Sequence, residues 1–368
     1  MSEQSRSRKL PSDLNQLQVV WRYEILKYLR SMRLLSSIVI VIAITGLLYA
    51  LPPLVGSDYR GTADHQVIKF KPLDEPLELQ GITMYGTGSL GSSTIDQKSL
   101  ELFNNGTLFP SNNGANWILM NSGSIGGSSI SVNTVVFTQN VTGQVITASF
   151  KWHTSIQSFD TLFVNFASIL VVICATFFGA DSIVGEFQNR TGYLMFPNPI
   201  KRSSILFGKF GASMTVGIVV MGLFYLAIAI LSMLTLGGVD DDFGMSFAFA
   251  IEYLLAVMAI AYLVSSILKG SVGALVLTFF MFIMILPIVD SVGMFAGVKI
   301  AASLTFASSV MMYSMSDPYP KDFVNNDFGI AIHQYYPDPL FSAIVMAVYA
   351  VVAIAISLVL FKKKQLSG

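Results

Sequence analysis

The chain has 368 residues with 22 basic and 22 acidic side chains, and 53% of its residues are hydrophobic while only 12% are charged. Soluble domains carry about 25% charged residues, so this composition excludes an ordinary soluble domain and indicates lipid as the main solvent. The zero net charge gives no overall basic field, which argues against nucleic acid as a partner. Because Cys174 is the single cysteine, the chain has no intrachain disulfide.

Residues 1–33 are predicted to form a cytoplasmic N-terminus that contains an amphipathic helix. Residues 14–32 carry apolar side chains at three- and four-residue spacings, namely Leu14, Leu17, Trp21, Ile25, Tyr28 and Met32. The cations that lie largely on the opposite face are Arg22, Lys27, Arg30 and Arg33. This pattern is typical of an elbow helix in the membrane interface, with its apolar face in lipid and its cations near anionic headgroups.

Six apolar stretches are each long enough to cross a bilayer, which takes about 20 residues per helix. They are residues 34–54, 161–180, 212–236, 247–268, 272–289 and 341–361. The sequence therefore predicts an all-α polytopic membrane protein with six transmembrane helices. The predicted regions are residues 1–33, a first transmembrane helix within 34–57, an insert at 58–157, and five further helices within 158–368.

The fifth and sixth helices are separated by residues 290–340, a segment too long for a tight turn. Within it, residues 296–312 are apolar, but they are short for a span and include Lys299. We interpret 290–340 as an external or re-entrant segment with a helix over 296–312.

The basic residues between the apolar stretches indicate the orientation of the chain. Cytoplasmic loops hold the excess of Lys and Arg, and alternate loops divide the 22 basic residues into fifteen on one side and seven on the other. Most of the smaller group lies in the long insert, which crosses the membrane largely regardless of charge. The sequence therefore predicts a multi-pass protein of the cell membrane with both termini in the cytoplasm.

The insert at 58–157 is predicted to be an extracytoplasmic β-rich domain. Its alternating runs lie at residues 66–71, 77–85, 129–138 and 144–152. We interpret these runs as strands. Asn105-Gly-Thr and Asn140-Val-Thr match the acceptor pattern for N-glycosylation. Such tripeptides are also common by chance, so glycosylation and coincidence are both open.

Several chemistries have no motif in this sequence. No Gly-Lys-Ser or Gly-Lys-Thr occurs, so the chain has no phosphate-binding loop for ATP hydrolysis. The three histidines form no H-E-x-x-H pair, so no metal site and no bound cofactor are predicted, and the chain is not expected to be an enzyme by itself. Glu252 is the clearest ionisable residue inside an apolar stretch. It is either a functional intramembrane site or a polar group that reaches water near the interface.

Residues 181–210, between the second and third apolar stretches, are the most informative part of the chain. The predicted structure is a short amphipathic helix, a turn and a helix that re-enters the membrane; the alternative is an ordinary connecting loop. Glu186 and Lys201-Arg202 are expected to be exposed, while Phe187 belongs to an apolar face.

In the order and spacing of its residues, this part of the chain resembles the permease subunits of type-2 ABC transporters, the ABC-2 exporter family. In that family the second span ends in Gly and Asp, and a Glu, a Gly-Thr, a Pro with basic neighbours and a Gly-Lys follow. The corresponding residues here are Gly179, Asp181, Glu186, Thr191-Gly192, Pro199, Lys201-Arg202 and Gly208-Lys209, with the Gly-Thr order reversed. The elbow helix, the six spans and the insert after the first span also resemble that family.

The resemblance implies transport driven by a separate ATPase subunit, which would bind ATP and Mg while this chain binds no cofactor. It also implies a second permease copy, in a homodimer or a heterodimer. Small residues that would allow close helix approach are Gly179, Ala180, Gly211, Ala212 and Gly217. The residues implied to form the ATPase-coupling segment are Asp181, Glu186, Phe187, Arg190, Thr191, Gly192, Pro199, Lys201 and Arg202.

Two functions are therefore compatible with the sequence. The first is the transmembrane permease subunit of an ATP-driven ABC exporter, which moves substrate outward. The second is a membrane-anchored sensor or assembly protein whose external β domain binds a partner or ligand. Copurification of an ATPase would separate them, and the transported substrate is not predicted.

Overall fold

The computed structural model describes residues 13–55, 58–79, 81–90, 94–122, 132–188, 201–325 and 332–363. Within these residues, a bundle of helices carries a β region inserted between its first two long apolar helices. The end of the bundle next to the N-terminal helix is called the α1 end, and the end next to the strands is called the β end.

The helices are α1 Asp13–Leu29, α2 Met32–Leu54, α3 Ile156–Val164, α4 Ala167–Ala175, α5 Val184–Gln188, α6 Arg202–Leu236, α7 Phe243–Ile267, α8 Ser271–Phe280, α9 Leu286–Phe295, α10 Leu304–Ser308, α11 Val310–Tyr313 and α12 Pro339–Lys363. Two π-helical turns, Thr176–Ala180 and Met281–Ile285, lie between α4 and α5 and between α8 and α9. Such turns insert an extra residue into a helix without ending it.

Six helical segments of the described chain are long and apolar enough to cross a membrane, which confirms the six predicted spans. In chain order, the first to sixth spans are Met32–Leu54, Ile156–Gln188, Arg202–Leu236, Phe243–Ile267, Ser271–Phe295 and Pro339–Lys363. The third span begins at Arg202 rather than at residue 212, because its first turns remain helical although they carry charge. Lys209 therefore lies inside the helix and not in a loop.

The second and fourth spans form the centre of the bundle. Within the most apolar 18 residues of these two spans, 61% and 56% of residues are buried, compared with 17% in the first and fifth spans. Large side chains that fill this core without exposure include Phe163, Phe178, Phe224, Tyr253 and Tyr262. The first and fifth spans therefore present most of their apolar surface to the outside of the chain.

The small residues predicted to face a second copy pack inside the chain instead. A Cβ atom on Gly179 would lie 2.7 Å from Met258 Sδ, and one on Gly217 would lie 3.0 Å from Leu254 Cδ2, both on the fourth span. Ala180 and Ala212 are fully buried. These residues allow close packing between the spans of one chain and therefore do not support a dimer interface, so the second permease copy stays a prediction.

The N-terminal helix α1 packs along the beginning of the third span. Its buried residues are Gln16, Val20, Glu24 and Tyr28, and Trp21 and Ile25 are partly buried beside them. Of the predicted apolar face, Trp21, Ile25 and Tyr28 pack against the bundle, whereas Leu14 and Met32 are 77% and 78% exposed and their contact with lipid stays a prediction. The buried face is rotated toward Gln16 and Glu24 because their side chains have polar partners on the third span or immediately before it.

The β region consists of two antiparallel sheets. The strands are β1 Arg60–Ile68, β2 Phe70–Leu79, β3 Ile82–Ser89, β4 Thr94–Ile95, β5 Glu101–Asn104, β6 Thr107–Leu108, β7 Trp117–Ser122, β8 Val132–Phe137 and β9 Ile146–His153. One sheet has the order β1-β9-β5-β6, with β4 also paired to β9, and the other has the order β2-β3-β8-β7. Their shared core includes Leu102, Val135, Phe137, Ile146 and Ala148.

Two of the predicted strands each cover parts of two real strands. Residues 66–71 include Lys69, which separates β1 from β2, and residues 77–85 include the turn at Gly81 between β2 and β3. Gly81 adopts φ +79°, a left-handed conformation that glycine reaches without a steric penalty. The alternating pattern continues through both breaks, so it could not locate them.

Tyr59 connects the β region to the bundle. Its hydroxyl donates hydrogen bonds to the carbonyl oxygens of Leu48 at 3.1 Å and Tyr49 at 3.2 Å, near the end of the first span. Its ring stacks on Tyr49 and packs edge-on against Phe159 of the second span. Burial raises the pKa of Tyr59 to about 12.

The segment between the fifth and sixth spans differs from the prediction. The predicted helix over 296–312 is wrong for its first part, which turns at Gly297 with φ +71°, and helical structure runs instead from Leu304 to Tyr313. This short helix is buried through Ala307, Val310 and Met311. A two-stranded hairpin, β10 Phe323–Asn325 and β11 Ile332–Gln334, follows it before the sixth span.

Candidate functional site

Four charged side chains meet at the α1 end of the bundle and connect three helical elements. We call Glu24, Lys27, Glu186 and Lys209 the ion cluster. Lys209 Nζ of the third span lies 2.5 Å from Glu24 Oε1 of α1 and 2.8 Å from Glu186 Oε1 of the second span. Lys27 Nζ approaches the same two carboxylates at 3.7 Å and 3.5 Å. Two carboxylates thus face two ammonium groups.

The centre of the ion cluster is removed from water. The side chains of Lys209 and Glu24 are 3% and 2% exposed and that of Glu186 is 14% exposed, whereas Lys27 is 55% exposed. Burying a charge costs free energy unless partners compensate it, and each buried charge here has a direct partner of opposite sign. The cluster therefore fixes α1, the second span and the third span against one another.

Glycines on the third span allow α1 to come close enough for this contact. A Cβ atom on Gly208 would lie 2.8 Å from the Val20 side chain and 3.1 Å from the Leu17 carbonyl oxygen. One turn later, Trp21 covers Gly211, and its indole nitrogen donates a hydrogen bond to Thr215 Oγ1 at 3.2 Å. The Gly208-Lys209 pair thus combines close backbone approach with the cation that faces Glu24.

A second polar network lies deeper in the bundle at the first π-helical turn. The carbonyl oxygen of Phe178 accepts hydrogen bonds from Tyr28 Oη at 3.0 Å, Ser213 Oγ at 2.8 Å and Ser182 Oγ at 2.5 Å. Ser213 also contacts the hydroxyl of Tyr262 on the fourth span at 2.8 Å. These hydroxyls connect α1 to three spans.

The end of the second span is tied to the first and fifth spans through Asp181. Arg33 Nη2 lies 2.6 Å from Asp181 Oδ2, and its other terminal nitrogen donates to the Phe177 carbonyl oxygen at 3.1 Å. Ser271, at the start of the fifth span, donates its hydroxyl to Asp181 Oδ1. Asp181 is therefore the junction of three spans at this end.

Two cations at the start of the third span have separate contacts. Lys201 pairs with Asp13 of α1 at 2.7 Å in a largely exposed position. Arg202 donates to the carbonyl oxygen of Lys362 at 2.8 Å, at the end of the sixth span. Phe187 packs edge-on against Phe361 of the same span, with ring centroids 6.3 Å apart.

The structure therefore brings part of the predicted segment together at one end of the bundle. Asp181, Glu186, Phe187, Lys201 and Arg202 all lie there, whereas Arg190, Thr191, Gly192 and Pro199 fall outside the described residues. The expectation that Glu186 is exposed was wrong, because its carboxylate is held between Lys209 and Lys27.

Four residues of the N-terminal region make contacts here that the sequence did not predict. The pattern placed Lys27, Tyr28 and Arg33 at the membrane interface and gave no role to Glu24. In the structure Lys27 approaches Glu186, Arg33 pairs with Asp181 and Tyr28 donates to the Phe178 carbonyl oxygen. Lys209 was noted within the Gly-Lys pair but was left out of the implied coupling residues. A lysine followed by a long apolar run needs a counter-ion, and Glu24 inside the amphipathic helix was an available acid.

The other predicted sites lie elsewhere. Glu252, near the β end of the fourth span, is partly exposed and has no hydrogen bond or ion pair with any described residue. Asn105 and Asn140 are exposed at turns of the β region, and their glycosylation stays a prediction. In the described ranges, no group of three or more His, Cys, Asp or Glu side chains is placed to hold a metal ion.

Comparison with known proteins identifies the family. The family model of the ABC-2 family transporter proteins matches residues 18–366, which includes α1 from residue 18 onward, all six spans and the β region. A search of curated proteins gives no match. The match covers nearly the whole chain and agrees with the six apolar helices. The chain is therefore a multi-pass membrane permease that belongs to the ABC-2 transporter family.

Proposed function

We propose that the chain is the transmembrane permease subunit of an ATP-driven exporter. A separate ATPase subunit binds ATP and Mg, and two permease copies, identical or different, form the transport unit. Family membership supports the ATPase partner, and the outward direction rests on the resemblance to ABC-2 exporters. The observation that carries the proposal is the buried ion cluster at the α1 end, which connects the 181–210 segment to α1 and the third span.

The ion cluster explains how the motion of a partner would reach the spans. The ATPase contacts the 181–210 segment, and Glu186 near the beginning of this segment is bound to Lys209 in the third span. Glu24 extends the connection to α1, and Asp181 extends it to the first and fifth spans. A displacement of the segment therefore moves several helices as one body, as reorientation of a permease requires.

We further propose that the α1 end faces the cytoplasm and that the β region lies outside. The fifteen-to-seven division of basic residues supports this orientation. Cysteine introduced at the exposed Lys363 should react with a membrane-impermeant maleimide only after permeabilisation, while Glu75→Cys in β2 should react in intact cells. The native Cys174 is fully buried and provides an unreactive background. The opposite labelling pattern would invert the orientation.

Purification of the tagged chain from its native membrane tests the assembly. We expect an ATPase to copurify, and we expect native mass measurement to give two permease copies in each complex. A single permease copy would contradict the dimer. Reproducible isolation without any ATPase would favour the sensor or assembly function instead.

The same complex tests the proposed coupling through Glu186→Gln. This change removes one charge from the ion cluster but keeps a side chain of the same size, so the complex should still assemble. We expect permease-dependent ATPase activity in proteoliposomes to fall several-fold. Glu101→Gln, an exposed position in β5, is the matched control and should leave this activity unchanged. Normal activity in the Glu186→Gln complex would show that the cluster does not transmit the motion.

A further inference from the structure

A cavity of about 450 Å³ lies toward the β end of the bundle, away from the ion cluster. The second, fourth and fifth spans and the short helix Leu304–Tyr313 surround it. Its apolar lining includes Ile169, Val172, Phe282, Pro287, Met294 and Phe306. This volume lies within the range of pockets that take small organic ligands.

One charged residue, Asp290 of the fifth span, lines this apolar space. Its Oδ2 accepts a hydrogen bond from Thr305 Oγ1 at 2.5 Å. Its Oδ1 is shielded from water and has no hydrogen-bond partner among the described residues. The cavity lining contains no lysine, arginine or histidine, so no cation in the wall compensates this carboxylate. A carboxylate beside an apolar cavity without a cation in the wall is poorly compensated, so a cation bound in the cavity would stabilise it electrostatically.

Tyrosine rings complete the lining. Tyr253, Tyr313 and Tyr335 all border the cavity. The hydroxyl of Tyr335 donates to the Gly297 carbonyl oxygen at 2.7 Å, so it already has a partner. The three tyrosine rings contribute electron-rich faces, which attract ammonium groups through cation–π interaction.

We propose that this cavity binds an organic cation that carries an ammonium group next to an apolar body. The ammonium group pairs with Asp290 and contacts the tyrosine rings, and the apolar body fills the space between the fifth span and the short helix. A bare metal ion fits less well, because such ions require several oxygen ligands and most of this lining is hydrocarbon. The existence of this binding site does not depend on the proposed permease function. Only the interpretation of the bound cation as transported cargo rests on that function.

The purified full-length chain in detergent tests the site without an ATPase or transport. The probes are benzyltrimethylammonium and neopentylbenzene, which have the same shape and differ in charge. Saturation-transfer NMR titration gives the affinity of each. We expect the cation to bind on the order of tenfold more tightly than its neutral analogue, because its charge is attracted by the Asp290 carboxylate and by the tyrosine rings in a partly buried site.

Asp290→Asn should abolish this preference for the cation while the neutral probe binds as before. Asp338→Asn is the matched control, since Asp338 is an exposed acid at the start of the sixth span and asparagine retains its capping ability. Tyr313→Leu should weaken binding of the cation several-fold more than binding of the neutral probe. Size-exclusion profiles establish that each variant is folded.

Three outcomes would overturn the proposal. They are equal affinity for both probes, retention of the preference for the cation in Asp290→Asn, and displacement of the ammonium probe by an equal concentration of sodium ion. The first indicates an apolar cavity without charge selection, and the last indicates a site for an inorganic cation. Because no ATPase is present, none of these results would affect the proposed coupling through the ion cluster.

Discussion

Replacement of Lys209 by methionine is expected to lower the free energy of unfolding by about 3–5 kcal/mol, the usual result of removing one partner from a buried ion pair. The change leaves Glu24 without its 2.5 Å partner in a position that is 2% exposed, and it removes the closer of the two cations at Glu186. Lys27 is half-exposed and more than 3.4 Å from either carboxylate, so it compensates only in part. The loss of stability therefore comes mainly from carboxylate charge that stays buried without a partner.

Chemical unfolding of the purified chain in detergent measures this effect. Lys201→Met is the matched control because it breaks the ion pair between α1 and the residue just before the third span, whose two side chains are 63% and 61% exposed. Such exposed pairs contribute about 0–1 kcal/mol. The double variant Lys209→Met with Glu24→Gln should recover part of the loss, because it removes the orphaned charge together with its partner. Equal stabilities of the Lys209 and Lys201 variants would contradict the assigned burial.

Gly208→Ala is expected to destabilise the contact between α1 and the third span by about 1–3 kcal/mol, the typical cost of overpacking. The added Cβ atom would lie 2.8 Å from the Val20 side chain and 3.1 Å from the carbonyl oxygen of Leu17. The second neighbour is backbone, so a change of rotamer cannot relieve the contact and α1 must move away. That movement would also lengthen the pair between Lys209 and Glu24.

The matched control is Gly222→Ala in the same helix, where a Cβ atom meets no atom within 4 Å. Alanine favours a helix over glycine by about 1 kcal/mol, so this variant should be neutral or slightly more stable. A Gly208→Ala chain as stable as wild type would show that α1 does not pack here in solution.

The number of spans could be predicted because an apolar stretch of about 20 residues has few other uses in a protein. The beginning of the third span could not be predicted in this way, since the charge of Lys209 lowers the hydropathy of its helical turn and makes the turn look like part of a loop. Inside the folded chain this turn is covered by α1, and the charge is neutralised by residues that are distant in sequence. Only the three-dimensional arrangement reveals that Lys209 belongs to a buried cluster.

The coupling role of the 181–210 segment stays a prediction, and its main contacts could not be predicted. Asp181 and Glu186 lie at the same end of the bundle, where both make ion pairs. Their partners Arg33 and Lys209 could not be assigned, because the periodicity of a helix shows which face is buried and not which neighbour covers it. For the same reason, the apolar face of α1 was assigned to lipid, although Trp21 and Ile25 pack against the bundle.

The π-helical turn at Thr176–Ala180 has a consequence for how related sequences should be aligned. A π turn contains one residue more than the α turn it replaces, so a relative with a regular helix here would have a one-residue gap inside its second span. Three hydroxyls, from Tyr28, Ser182 and Ser213, converge on the Phe178 carbonyl oxygen within this turn. The gap and the loss of these hydroxyls should therefore occur together, and an alignment that forbids gaps inside spans would place Asp181 and Glu186 one position out of register.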